Sequence, residues 1–89
     1  MERRDKVKII YDILKSVQEK GGRIKPTHLL YKSNLSYKRM NELVQELMGK
    51  GMIAEESVSS GKMYILTDKG HKFLNEYHKM VEFIKGFGF

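Results

Sequence analysis

Early in the chain, apolar residues recur at steps of three and four. Val7, Ile10, Ile13, Leu14 and Val17 fall on one side of a helix, with Lys and Asp between them. The spacing predicts a helix over 5–20. Gly21-Gly22 ends it, because glycine takes the left-handed conformation that closes a helix without a Cβ clash. Pro26 fits the first turn of a short second helix, 26–32, where its missing N–H costs nothing. Leu29 and Leu30 form its expected buried side. Asn34-Leu35-Ser36 reads as a turn, and the Ser36 hydroxyl suits the N-cap of a third helix over 37–49. Met40, Leu43, Val44, Leu47 and Met48 give that helix the stripe of an amphipathic element. Gly49 and Gly51 bracket its end.

The period then changes. "MIAEE" (52–56) and "KMYILT" (62–67) have strand character and flank "SVSSG", so the pair predicts a hairpin. Thr67 suits the cap of a final helix over 68–85, with Phe73, Leu74, Tyr77, Met80, Val81 and Ile84 on one side. Two helices joined by a short turn, followed by a hairpin, predict a winged helix-turn-helix. The fold class is α+β, mostly α: three helices, a β-hairpin wing and a C-terminal helix. The alternatives are a helical bundle with a stray hairpin, or an α+β domain of another topology. Turn, cap and hairpin signals all fall where the winged form needs them.

With 89 residues, the chain is expected to form a single domain over 1–89. It has no cysteine, so disulfides and thiolate metal sites are excluded and nothing argues for secretion. The start, "MERRDKVKIIYDIL", mixes charged and apolar residues, unlike a signal peptide, and no run is apolar enough to span a membrane. A cytoplasmic protein with no membrane association is expected. The formal charge is +6, and its placement is uneven. Between Lys20 and Asn41 lie Lys20, Arg23, Lys25, Lys32, Lys38 and Arg39, with no acid. After residue 50, Lys62, Lys69, Lys72, Lys79 and Lys85 balance Glu55, Glu56, Asp68, Glu76 and Glu82. A localised basic field favours a polyanionic partner, nucleic acid before lipid.

"IIYDIL", "NLSYKRMNELVQELMGKGMI" and "YILTDKGHKFLNEY" resemble the small winged-helix DNA-binding proteins of archaea, a family of regulators and chromatin-associated proteins. The similarity runs from about Val7 to Tyr77. "NLSY", followed by a helix, a glycine turn, two strands and "LTxKG", is its most specific combination; "LTxKG" alone recurs across winged-helix regulators. The resemblance implies a winged helix, DNA binding and a dimer through the C-terminal helix, in some members a long antiparallel coiled coil. This sequence departs there: its last helix allows only about five turns at ~3.6 residues each, and ends in "GFGF".

In a helix-turn-helix, the second helix enters the major groove with its leading residues at the base edges. Ser36, Tyr37, Lys38, Arg39 and Asn41 cluster at that end here. Arg39 suits a bidentate contact to guanine and Asn41 one to adenine. Gln45 follows Asn41 by four residues and shares its face. Core packing of Leu43, Val44 and Leu47 leaves Lys38, Asn41, Glu42 and Gln45 outward. Ser36 and Lys38 suit phosphates. Tyr37 stays open between a groove contact and a ring that closes the turn against the second helix. Lys25 and Thr27 suit backbone phosphates, and Ser60 and Lys62 at the wing suit a neighbouring phosphate or the minor groove. Arg3 and Arg4 read as a frayed terminus rather than a DNA-reaching arm.

Phe73, Tyr77, Met80 and Ile84 recur at four-three-four spacing, a seam for a symmetric partner, with Leu74 and Val81 on a second flank. The competing reading packs all of this surface on the first helix. Phe87-Gly88-Phe89 either extends the interface or is disordered. His71 and His78 are about 10.5 Å apart along a helix at ~1.5 Å per residue, too far for one metal ion. No catalytic constellation, phosphate loop or cofactor motif occurs. The sequence thus predicts a non-catalytic homodimer that binds double-stranded DNA. It would place 37–49 in the major groove and act as a transcription regulator or nucleoid-associated protein, with no cofactor and no metal. The alternatives are a winged helix used for protein–protein contact or for RNA binding.

Overall fold

The computed structural model describes residues 5–89. Four helices and three strands follow in the order α1 (Lys6–Glu19), β1 (Arg23–Ile24), α2 (Pro26–Ser33), α3 (Tyr37–Gly49), β2 (Ile53–Val58), β3 (Gly61–Leu66) and α4 (Asp68–Lys85). Arg3 and Arg4 lie outside the described residues.

Local chemistry sets each boundary. Asp5 caps α1, its carboxylate accepting from the Lys8 N–H at 2.8 Å. Gly21 and Gly22, at φ of 81° and 89°, turn the chain away at the other end, and the Gly22 N–H donates back to the Val17 carbonyl at 2.9 Å. Pro26 opens α2 as expected, and Asn34 closes it in the left-handed region at φ 57°. Asparagine tolerates that conformation better than most residues. Leu35 and Ser36 then complete the turn, and Ser36 Oγ caps α3 by accepting from the Arg39 N–H at 3.1 Å. Thr67 Oγ1 accepts from the Gly70 N–H at 3.1 Å at the head of α4, and donates to the Gly51 carbonyl at 2.6 Å. One hydroxyl therefore caps α4 and ties it to the entry of β2.

The sheet has the order β1-β3-β2 and is antiparallel throughout. β2 and β3 pair from Ile53↔Leu66 to Val58↔Gly61, so Ser59 and Ser60 form a two-residue turn. The strands thus run one or two residues differently from the expected 52–56 and 62–67. β1 was not expected at all: Arg23 pairs with Ile65 and Ile24 with Tyr64.

The core lies between α1, α3 and the inner face of the sheet. Ile13, Leu14 and Val17 of α1 meet Ile24, Leu29, Met40, Leu43, Val44, Leu47, Ile53, Tyr64, Leu66 and Leu74. Two serines are buried among them. Ser16 donates to the Asp12 carbonyl at 2.8 Å and Ser33 to the Leu30 carbonyl at 3.2 Å, so neither hydroxyl is left unsatisfied. Val7, expected on the buried stripe, is 50% exposed, because the start of α1 runs past the core. The far end of α4 does the same. Its buried residues, Gly70 and Leu74, lie in its first half, and the molecule measures 49 × 32 × 21 Å.

Candidate nucleic-acid interface

The leading end of α3 is exposed to solvent. Ser36, Tyr37, Lys38 and Arg39 are all exposed, and Met40 is fully buried directly after them. Burial of Met40, Leu43, Val44 and Leu47 fixes the rotation of the helix. At about 3.6 residues per turn, Lys38, Glu42 and Gln45 stand opposite the core. Asn41 is half-buried at one edge of this face and Arg39 lies at the other. Tyr37 is 64% exposed, so most of its ring surface faces solvent. The Ser36 hydroxyl is occupied as a cap but remains at the surface.

The other candidate residues sit on different elements. Lys25 is the N-cap residue of α2 without a side-chain capping bond, and Thr27 is exposed one residue into the helix. Ser60 is at the exposed wing tip. Lys62 lies on β3 with its ammonium 3.7 Å from Glu55 and 5.7 Å over the Tyr64 ring. Burial pushes the Tyr64 phenol up from its ordinary pKa.

Charges distant in sequence meet in space. Arg23 in β1 reaches Glu56 in β2 at 2.6 Å, and Lys32 reaches Glu19 at 3.2 Å. Arg39 lies 3.8 Å from Glu42. Lys6 of α1 meets Glu46 at 3.0 Å, and that ammonium holds the Glu46 carboxyl below the ordinary carboxylate range. Within the basic sequence window, Lys20, Lys25 and Lys38 have no carboxylate partner among the described residues. The basic field is therefore narrower than the sequence window implied. The cations left free stand at the end of α1 (Lys20), the start of α2 (Lys25) and the leading turn of α3 (Lys38).

The architecture now has its defining parts: a turn at Asn34–Ser36, a capped and exposed third helix, and a two-stranded wing with a short third strand behind it. A family model described as winged helix-turn-helix matches residues 3–85. The chain belongs to the winged helix-turn-helix family. An uncharacterized protein of Methanocaldococcus jannaschii is 30% identical over 82 residues, which is 92% of this chain. The chain spans 36% of the length of that relative. Among solved structures, Sso10a-2, a DNA-binding protein from Sulfolobus solfataricus, superposes with a TM-score of 0.79 at 18% identity, over 94% of this chain and 85% of the other. A winged-helix DNA-binding protein from STIV gives 0.75 at 24% identity, over 90% and 92%. These likenesses confirm the winged helix-turn-helix fold read from the pattern of elements.

α4 divides its apolar residues between two surfaces of this winged helix. Leu74 enters the core and Phe73 packs against it. Tyr77 stacks on Tyr11 of α1 with ring centroids 4.4 Å apart, and Val81 is half-buried. Met80 (47%), Ile84 (43%) and Phe83 (68%) are exposed, as is Phe87, whose ring sits edge-on to Phe83 at 5.2 Å. Phe83 was missing from the seam expected at 73, 77, 80 and 84; its signal was present, three residues after Met80 on the same face. No helix among the described residues is long and apolar enough to cross a membrane. No group of three or more His, Asp or Glu side chains among them is placed to hold a metal ion.

Proposed function

We propose that this winged helix binds double-stranded DNA, with α3 in the major groove and the wing beside it, and serves transcription regulation or DNA coating at the nucleoid. The observation that carries the reading is the leading turn of α3. The fold buries Met40, Leu43, Val44 and Leu47, yet leaves Tyr37, Lys38 and Arg39 in solvent. A helix N-terminus favours anions through its free N–H groups and its dipole, and lysine adds to that field. Lys25, Thr27, Ser36, Lys38, Ser60 and Lys62 are assigned to backbone positioning; Arg39, Asn41 and Gln45 are assigned to base edges. Tyr37, exposed in the free protein, joins the groove-facing group. The DNA-binding descriptions of the Sulfolobus and STIV structures support the same reading.

Two copies would pair through the protruding half of α4. Met80, Phe83 and Ile84 supply the contact, while Phe73, Tyr77 and Val81 brace α4 on α1 behind it. A symmetric dimer presents two α3 helices to successive turns of one DNA face. No reacting group or cofactor is required.

The test is equilibrium binding to a mixed-sequence DNA duplex and to a structured RNA of equal length, at low salt. The DNA reading expects duplex DNA to bind tighter, with affinity falling linearly in log–log form as salt rises. Tighter RNA binding, or no binding to either, would overturn it.

A further inference from the structure

Glu42 is a carboxylate at the middle of the surface assigned to a polyanion. It stands with Lys38 and Gln45 on the side of α3 opposite Met40, Leu43, Val44 and Leu47, with Lys38 one turn before it. Its side chain is 52% exposed, and Arg39 is its one ion-pair partner among the described residues, at 3.8 Å. That distance is too long for a hydrogen bond, and an exposed pair of this kind adds little to stability. Folding therefore does not explain an acid at this position.

In a major groove, a carboxylate faces phosphates on both walls and is repelled unless it meets a donor. A carboxylate only accepts hydrogen bonds. The groove edge of cytosine offers an amine donor alone. Guanine offers two acceptors, thymine one acceptor and a methyl group, and adenine an amine beside an acceptor nitrogen. Cytosine is thus the base that a two-oxygen acceptor meets without a repulsive contact.

We propose that Glu42 determines the sequence preference of this helix: its carboxylate accepts from the exocyclic amine of a cytosine and rejects bases that present acceptors there. On a sequence without a matching base, Glu42 is left facing phosphates with no donor, and that repulsion weakens binding to arbitrary sequence. This inference rests on the DNA-binding reading above.

The full chain is used to select duplexes from a randomised pool, and each selected position is then changed singly. Replacing the cytosine by thymine at one position is expected to weaken wild-type binding by about tenfold or more. Glu42→Gln, whose amide can donate as well as accept, is expected to shrink that penalty to about twofold. It should also bind random duplex more tightly, because a charge repelled by the phosphates is removed. Glu42→Ala should lose the cytosine preference as well. An exposed side chain leaves both variants folded, which circular dichroism checks. If wild type selects no cytosine, or both variants keep the full penalty, the proposal is wrong while DNA binding stands. If wild type binds no duplex at all, both fall together.

Discussion

Gly70→Ala should destabilise the protein, although alanine is the better helix former. Gly70 sits in the first turn of α4 and is buried. A Cβ there would lie 2.5 Å from Leu66 Cδ1 and 2.5 Å from the Met52 carbonyl oxygen. Carbon contacts settle near ~3.5–4.0 Å, so both neighbours, or the start of α4 itself, must give way by about 1 Å. Neither neighbour moves freely. Leu66 is 6% exposed, and the Met52 carbonyl accepts from the Thr67 N–H at 3.2 Å. Overpacking of this kind costs about 1–3 kcal/mol. Replacing glycine within a helix returns at most about 1 kcal/mol. The expected net loss is about 1–2 kcal/mol, which for a domain of 89 residues lowers the thermal midpoint by about 5–15 °C. Urea and thermal unfolding followed by circular dichroism measure it, and an unchanged urea slope would show that stability alone has changed. Gly49→Ala is the control: nothing lies within 4 Å of its Cβ position, so it should be neutral or stabilising. A Gly70→Ala protein as stable as wild type would refute the close-approach argument.

Ser36→Ala removes the α3 cap and should cost about 1 kcal/mol in urea unfolding; no loss would show that the 3.1 Å bond to Arg39 N–H is energetically idle. Lys38→Ala should reduce the slope of log affinity against log salt by about one, uniformly over sequences, and an unchanged slope would remove Lys38 from the phosphate contacts. Phe83→Asp places a charge in the exposed patch of α4 without touching the core. Light scattering should then report a monomer where wild type is a dimer, and a monomeric wild type would end the dimer proposal.

Helix periodicity and capping chemistry made most of the fold legible. α3 and α4 begin and end where the pattern of Met40, Leu43, Val44 and Leu47 and the hydroxyls of Ser36 and Thr67 indicated. β1 carried no such signal. Two residues have no period, and Arg23–Ile24 becomes a strand only by pairing with β3. Charge was misleading for a related reason. Arg23 and Glu56 are 33 residues apart, and only the sheet brings them together, so an acid-free window in sequence was partly neutralised in space. The rotation of α4 was also decided by tertiary contact. Stacking of Tyr77 on Tyr11 turns Met80 and Phe83 outward, which the apolar spacing alone left open. Gly70 lies in the widespread "LTxKG" pattern, but its reason, a backbone carbonyl against the helix, exists only in three dimensions. The candidate interface was legible in part. Tyr37, Lys38 and Arg39 were visible as an exposed leading turn, whereas the half-burial of Asn41 at the edge of that face needed the structure.

Placement of α3 in the major groove is tested most directly by dimethyl sulfate protection on a duplex selected by the protein. The reagent methylates guanine N7 in the major groove and adenine N3 in the minor groove. Saturating protein should protect guanine N7 in short clusters, and Arg39→Ala should restore reactivity within a cluster while leaving the protein bound. Full occupancy of the duplex with every guanine N7 still reactive would contradict a recognition helix in the major groove.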